Sequence, residues 1–211
     1  DDEGYLPEAV INYLARLGWS HGDDEIFSRA QLIEWFNLDH LGRSASQFDE
    51  AKLRWVAQQH MKTADDALLA TLVREQWARR GITVPASLQS GDKLQAMCAL
   101  FKDRCATTVE LADWLGMYVV AVAAPAEELA AQVTDAVKPA IAALATRLET
   151  AAWDKAAINQ AIKDTIGEFG IKMPQLAIPV RLLVCGRAQT PSVDAVLALF
   201  DRETVIQRLR A

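Results

Sequence analysis

The chain has 211 residues, of which 51% are hydrophobic, and a formal net charge of -6. Such a composition excludes a disordered tail, and the length suffices for one large or two small domains with real cores. Only 10 glycines and 7 prolines accompany abundant alanine and leucine, which favours helix. No apolar run approaches the roughly 18 to 20 residues of a membrane span, so no membrane role is expected.

The first segment of the chain is predicted to form short helices with recognisable ends. One helix is expected between Pro7, which suits a first helical position, and Gly18, which suits a C-terminal stop. Ser28 with Gln31 forms a capping-box pattern for a second helix. Asp49 can cap a third helix, whose helical spacing predicts an apolar face.

The middle of the chain repeats this organisation. A loop is expected around Ser44, and Thr63 with Asp66 is predicted to begin a helix that stops at Gly81. Residues 81–92 are rich in glycine, serine and proline, so they are predicted to form a loop.

Two further helices are predicted before Pro125, which marks a possible boundary. The first spans the apolar positions from about residue 94 to 101, and the second begins with Thr107 and Glu110. No strand pattern is convincing, and the best candidate is the short stretch 119–122.

Alanine-rich helices are predicted beyond residue 125. Two are expected around residues 137–148 and 158–169, with Gly170 as a stop. Pro174 and Pro179 are predicted to bracket an extended or turn segment. The last helices are expected at 180–184, at 192–199 and from about 204. The fold class predicted is therefore all-α, in consecutive packed helical bundles.

Chemical motifs give no catalytic, cofactor-binding or metal site. Neither GxxxxGK[ST] nor GxGxxG is present. The histidines are too far apart for a metal motif and are interpreted as loop or surface residues: His21, His40 and His60. The cysteines lack a CxxC pair and indicate reduced thiols in a cytoplasmic protein: Cys98, Cys105 and Cys185. The first two are interpreted as packing residues on one helical face, if that helix runs unbroken.

Charge is distributed unevenly along the chain. From Lys172 onward six basic side chains stand against three acidic ones, while the rest of the chain is acidic. The net charge argues against a nucleic-acid partner, but a basic end on an acidic body can still attract a polyanion locally.

Several stretches resemble one family of proteins. Residues 4–23 (GYLPEAVINYLARLGWSHGD) are similar to bacterial glutamyl-tRNA synthetases, in which this stretch follows the catalytic domain. The similarity continues through residues 25–28 (EIFS) and 48–55 (FDEAKLRW), and more weakly through 179–181 (PVR), Gly186 and the last helix.

The resemblance implies a function for the fragment and a larger parent enzyme. Residues 1–65 would form a stem-contact domain on the inner side of the tRNA, and 66–120 and 121–211 two helical anticodon-binding subdomains. The parent would be a cytoplasmic, monomeric ligase that uses ATP and Mg²⁺ to attach glutamate to tRNA-Glu. Its catalytic domain, with the ATP motifs, would lie upstream, so this chain is expected to be non-catalytic by itself.

Four residues match the family's anticodon contacts. Arg104 falls where many members carry an arginine that reads the third anticodon base. The guanidinium donors suit the O2 and N3 acceptors of cytosine, whereas uracil presents an N3–H donor. Arg181, Thr190 and Val193 fall where the family contacts the first base. Trp55 is interpreted as a core residue in preference to a base-stacking platform.

The sequence departs from the family pattern at several positions. They are Ala57, His60, Pro174, Cys185, Ser192 and Asp201. The last four leave the geometry of the 185–193 loop open, including whether Val193 reaches a base. Two alternative functions also stay open: a free-standing helical scaffold without an RNA role, and part of an enzyme that charges both tRNA-Glu and tRNA-Gln.

Overall fold

The computed structural model describes residues 3–42, 46–89 and 91–211, and the loop predicted around Ser44 lies outside them. In these ranges the regular structure consists of helices, with two isolated β-bridges, Trp19 with Leu41 and His21 with Asp24. The all-α class predicted from the sequence is confirmed. Residues 119–122, the best strand candidate in a sequence without a convincing strand pattern, are turn, bend and coil.

The chain divides into two compact units, Asp1–Leu115 and Gly116–Ala211. The three-part division at residues 1–65, 66–120 and 121–211 stays a prediction. No helix within the described ranges is both long and apolar enough to cross a lipid bilayer.

Unit 1 carries seven α-helices and one 3₁₀ turn in its described residues. They are α1 (Pro7–Gly18), α2 (Arg29–Trp35), α3 (Glu50–Thr63), α4 (Asp66–Arg79), α5 (Ala86–Gln89), α6 (Asp92–Phe101), the 3₁₀ turn Lys102–Arg104 and α7 (Thr108–Leu115). Helix α1 packs on α3, while α4, α6 and α7 pack on one another. The 3₁₀ turn packs on α3, so elements distant in sequence share one body.

The predicted helix starts in unit 1 are largely confirmed. The Ser28 hydroxyl accepts from the Gln31 N–H at 3.1 Å, and the Gln31 amide oxygen accepts from the Ser28 N–H at 2.9 Å. The Thr107 hydroxyl accepts from the Glu110 N–H at 3.2 Å. The start of α4 was misplaced by the sequence pattern, because its cap is Asp65, whose carboxylate accepts from the Leu68 N–H at 2.9 Å.

Other boundaries in unit 1 differ from the prediction. The loop predicted at 81–92 contains the short helix α5, which buries Leu88. The condition for Cys98 and Cys105 to share one helical face is not met, because α6 ends at Phe101. Both thiols are nevertheless fully buried, as expected of packing residues. Burial raises the pKa of the Cys98 thiol to about 12, so this sulfur is protonated at neutral pH.

Unit 2 carries six further α-helices. After a 3₁₀ turn at Gly116–Tyr118 come α8 (Ala126–Gln132), α9 (Lys138–Thr150), α10 (Lys155–Phe169), α11 (Met173–Cys185), α12 (Val193–Ala198) and α13 (Arg202–Arg210). Helix α9 packs against α10 and α13, and α11 packs against α8 and α13. Gly170, with a φ of 61°, ends α10 as predicted.

The segment around the two prolines is helical, so the extended or turn structure predicted there is wrong. Pro174 occupies the first turn of α11, where its missing N–H costs nothing. Pro179 lies inside the helix and leaves the Gln175 carbonyl without an N–H four residues later, a cost of about 3 kcal/mol. Burial of apolar side chains along α11, among them Leu176 and Val180, offsets this cost.

Candidate nucleic-acid interface

The 3₁₀ turn Lys102–Arg104 presents Arg104 at the surface of unit 1. The turn is flanked by two fully buried residues, Phe101 at the end of α6 and Cys105 just after the turn. The Cys105 N–H closes the turn by donating to the Lys102 carbonyl at 3.1 Å. Because both flanks are anchored in the core, the turn projects outward and Arg104 is exposed.

Two side chains tie this turn to neighbouring helices. The Lys102 ammonium donates to the Ala64 carbonyl and to the Asp66 carboxylate, both at 2.8 Å, and its side chain is only 15% exposed. From α3, the Gln58 amide donates to the Asp103 carbonyl at 3.0 Å. The backbone that carries Arg104 is therefore held from α3 and from the start of α4.

The segment after the turn is held by a carboxylate. Glu110 accepts from the Ala106 N–H at 2.7 Å and from the Arg54 guanidinium at 2.6 Å. The hydrogen bond with Glu110 raises the pKa of Arg54. This pair joins α7 to α3 within unit 1.

An aromatic ring lies beneath Arg104. The guanidinium carbon is 5.9 Å from the centroid of the Trp114 ring, which in turn packs 5.6 Å from the ring of Phe101. A cation over an indole face is attracted by the ring quadrupole, which favours one orientation of the guanidinium. Trp114 was not predicted from the sequence. Its ring reaches Arg104 only through the packing of α7, and the spacing of neighbouring residues does not indicate this contact.

A second group of candidate residues lies in unit 2. Arg181, on α11, donates from Nε to the Thr190 hydroxyl at 2.9 Å and from Nη2 to the Pro191 carbonyl at 3.4 Å. The Thr190 hydroxyl itself donates to the Pro191 carbonyl at 2.7 Å. The structure thus brings Arg181 and Thr190 into direct contact, and their assignment to one base stays a prediction.

Val193 begins α12 and contributes little surface. It is only 7% exposed, whereas Ser192 just before it is exposed. The next residue, Asp194, is also buried and accepts from the Ala195 N–H at 2.8 Å and the Asn159 amide at 3.1 Å. Burial raises the pKa of Asp194, but hydrogen bonds from Ser192, Ala195 and Asn159 outweigh it, so the pKa is lowered overall.

The four predicted residues therefore fall into two places. Arg104 belongs to unit 1, and Arg181, Thr190 and Val193 belong to unit 2. Cys185, which departs from the family pattern, is buried at the end of α11, and burial raises the pKa of its thiol to about 12.

Trp55 is 39% exposed, so its interpretation as a core residue is wrong. Helix α3 buries Leu53 and Val56, and a residue two positions beyond Leu53 lies about 200° around the helix. The Lys52 ammonium sits 4.3 Å from the Trp55 ring centroid. An exposed indole with an adjacent cation is the kind of surface on which a nucleic-acid base can stack.

His60 is neither a loop nor a freely exposed residue, which corrects the interpretation of that histidine. It lies on α3, is half-buried, and its Nε2 is 2.8 Å from the Asn12 amide oxygen. Asn12 donates its own amide to the Glu25 carbonyl at 3.0 Å, so its oxygen is the acceptor and His60 carries the proton on Nε2. Across the described ranges no three His, Cys, Asp or Glu side chains are grouped to hold a metal ion.

Comparison with known families decides the affiliation of the chain. A family model described as "Anticodon binding domain" matches residues 68–211, about two thirds of the chain. The chain belongs to the anticodon-binding domain family. A second model, "tRNA synthetases class I (E and Q), catalytic domain", matches residues 1–55.

Sequence relatives are similar to this chain over its whole length. Glutamate–tRNA ligase from Leptothrix cholodnii is 64% identical over 211 residues, and that from an Acidovorax species is 59% identical. These matches cover 100% of this chain but 44% and 45% of the relatives, so the chain spans less than half their length. The family resemblance inferred from the sequence motifs is confirmed.

A solved structure shares the fold. The crystal structure of a glutamate tRNA ligase from Elizabethkingia meningosepticum superimposes with a TM-score of 0.88 at 23% sequence identity. The superposition covers 99% of this chain and 41% of that one. At this identity the likeness establishes the helical fold alone.

Proposed function

We propose that this chain is the tRNA-binding, anticodon-recognising part of a glutamate–tRNA ligase. The observation that carries the proposal is the anticodon-binding model over residues 68–211, joined to whole-length similarity with glutamate–tRNA ligases. The parent enzyme would attach glutamate to tRNA-Glu in the cytoplasm as a monomer. ATP and Mg²⁺ would serve the catalytic half of that parent, and the proposal gives no residue of these 211 a catalytic role.

In this proposal each unit contacts a different part of the tRNA. Residues 1–65 would contact the inner side of the L-shaped molecule, where the exposed Trp55 ring beside Lys52 offers a stacking surface. Arg104 would read the third anticodon base, and Arg181, Thr190 and Val193 would contact the first base. The surface position of Arg104 and the Arg181–Thr190 contact support these roles.

The chemistry of the third base suits Arg104. Glutamate and glutamine anticodons differ there, with cytosine for glutamate and guanine for glutamine. The pairing edge of cytosine offers the O2 and N3 acceptors, whereas guanine presents N–H donors that would face the donors of the guanidinium. No hydrogen bond or ion pair holds the Arg104 guanidinium among the residues that the structure describes, which leaves its donors available for a base.

The basic C-terminal end supplies less free charge than its composition suggests. Arg202 donates to the carbonyls of Glu149 and Ala151, and Arg208 donates to three other backbone carbonyls. Arg210 pairs with the Glu149 carboxylate. Three of the six basic side chains are thus engaged inside unit 2, so we expect few phosphate contacts from this end and a shallow dependence of binding on salt.

The test is a binding titration of the 211-residue chain with transcripts of tRNA-Glu carrying cytosine or guanine at the third anticodon position. The wild type should prefer cytosine, and Arg104→Gln should remove most of that preference, by about tenfold or more. The control is Arg79→Gln, which removes an exposed arginine at the end of α4 and should leave the preference unchanged. Absence of tRNA binding at low salt would overturn the proposal, and equal affinity for both transcripts would overturn the role of Arg104.

The alternative functions are not favoured. A free-standing scaffold would not be expected to match glutamate–tRNA ligases at 56–64% identity over its whole length. An enzyme that charges both tRNA-Glu and tRNA-Gln would show no preference in the titration above, so the same experiment separates that reading from the proposal.

A further inference from the structure

We infer that Gln58 is a positioning residue for the anticodon reader Arg104, because its side-chain amide fixes the peptide plane that leads into Arg104. The inference rests on the proposed function, since it assumes that Arg104 discriminates the third anticodon base. It assigns a specificity role to a residue of α3, outside the segment matched by the anticodon-binding model.

The geometry supports this assignment directly. The Gln58 amide nitrogen lies 3.0 Å from the carbonyl oxygen of Asp103. That carbonyl belongs to the planar peptide group whose nitrogen is the backbone nitrogen of Arg104. A hydrogen bond to this oxygen therefore restrains the orientation of the whole plane, and with it the direction in which the Arg104 side chain leaves the backbone.

Because the arginine side chain is long, restraint of the peptide plane has a large effect on the position of the guanidinium. The guanidinium is separated from its backbone by three methylene groups, so a small rotation of the peptide plane produces a larger displacement of the donors. Recognition by paired donors requires alignment to within roughly 10–20°. The Lys102 bonds to Ala64 and Asp66 fix the start of the turn, and the Gln58 bond acts on the peptide next to Arg104.

The matched variants are Gln58→Glu and Gln59→Glu. The glutamate carboxylate has the shape of the glutamine amide but no N–H at neutral pH, so at position 58 it cannot donate to the Asp103 carbonyl. Gln59 is also half-buried on the same helix, and its side-chain amide donates to the Trp55 carbonyl of its own helix, at 3.5 Å. Both variants add one negative charge near the RNA, so any general electrostatic loss is shared.

The measured quantity is the ratio of affinities of the full 211-residue chain for two anticodon stem-loops that differ only in cytosine or guanine at the third position. Gln58→Glu should lower this ratio by about 3- to 10-fold, the range expected for loss of one hydrogen bond with its geometry. Gln59→Glu should lower both affinities together and keep the ratio. Gln58→Lys, which regains a donor for the carbonyl, should recover much of the ratio.

The outcomes separate the inference from the function on which it rests. If the wild type discriminates and Arg104→Gln abolishes the discrimination, but Gln58→Glu behaves like Gln59→Glu, the positioning role is wrong and the proposed function stands. If the wild type shows no discrimination, the role of Arg104 and the positioning role fall together. Thermal unfolding of each variant checks that the ratio is compared between equally folded proteins.

Discussion

The Arg181 guanidinium and the Thr190 hydroxyl form a side-chain hydrogen bond at 2.9 Å between helix α11 and the loop before α12. The hydroxyl also donates to the Pro191 carbonyl at 2.7 Å, so it is engaged both as acceptor and as donor. Thr190 is buried, whereas Arg181 is only partly buried. Arg181 is therefore the more exposed of the two, and we expect it to contact a base while Thr190 holds its orientation.

This relationship predicts a graded effect of two substitutions. Arg181→Gln should weaken binding of an anticodon stem-loop by about 10-fold or more, since it removes the cationic donors. Thr190→Val keeps the shape of the side chain but removes the acceptor, and should weaken binding by only about 3- to 10-fold. The measurement is a titration at fixed salt with the same labelled RNA.

The control for the threonine variant is Thr146→Val in the same unit. The Thr146 side chain is exposed, and its hydroxyl donates to the Ala142 carbonyl of its own helix. Its loss should leave RNA affinity unchanged. Equal affinities for wild type and Thr190→Val would show that the hydroxyl does not orient Arg181 for binding.

Arg208 should be a major contributor to the stability of unit 2. Its guanidinium donates to the carbonyls of Met117, Val184 and Val120 at 2.9, 2.7 and 3.1 Å. Arg208→Met should lower the free energy of unfolding by about 3 kcal/mol or more, because it leaves these carbonyls without their charged donor. Denaturant titration followed by circular dichroism measures this.

Arg210→Met is the comparison for that prediction. Arg210 lies on the same helix and pairs with the exposed carboxylate of Glu149, a surface contact worth about 1 kcal/mol or less. A loss of similar size in both variants would mean that the three carbonyl bonds contribute no special stability.

The pH dependence of stability should carry a contribution from His60. Burial lowers the pKa of His60 in the folded state, so the folded protein favours the neutral ring. Its contribution is fully present above the unfolded pKa of about 6.5 and is lost as the pH falls below that value towards the lowered folded pKa. Unfolding free energies measured between about pH 8 and pH 5 should therefore decline for the wild type.

His60→Gln tests the assignment of this pH dependence. Glutamine can still donate to the Asn12 oxygen, which His60 reaches at 2.8 Å, but it does not titrate. The variant should lose the decline that begins below about pH 6.5. An unchanged pH profile would assign the decline to other groups.

The features of the fold that could be predicted are those that depend on residues close together in the sequence. The Ser28 capping box and the Gly170 stop are local, and both were found where the pattern placed them. The helix through Pro179 was not predicted, because burial of α11 in the core stabilises it. This burial depends on contacts between distant segments, so no local sequence pattern indicates it. The family resemblance pointed to Arg104, but Gln58 is 46 residues away in sequence and contacts the Arg104 turn only through packing of α3.

Substitution of Gly4 tests how the first residues of unit 1 are bound to α7. Its φ is +74°, and its carbonyl accepts from the Thr108 N–H at 2.8 Å and from the Thr108 hydroxyl at 3.1 Å. A Cβ at this position would lie 2.8 Å from the Thr108 hydroxyl oxygen and 2.9 Å from the Val109 nitrogen. Gly4→Ala therefore adds a steric clash with backbone to the strain of a left-handed conformation.

Gly22 provides the matched comparison, because its φ is also positive, at +54°, but a Cβ there would meet nothing within 4 Å. Gly22→Ala should cost about 1 kcal/mol of unfolding free energy from conformation alone. Gly4→Ala should cost about 2–4 kcal/mol, because overpacking against α7 is added. Denaturant unfolding measures both free energies. Equal losses of unfolding free energy in the two variants would mean that the backbone at Gly4 shifts to accept the Cβ. The contact of Gly4 with Thr108 would then not be a fixed part of unit 1.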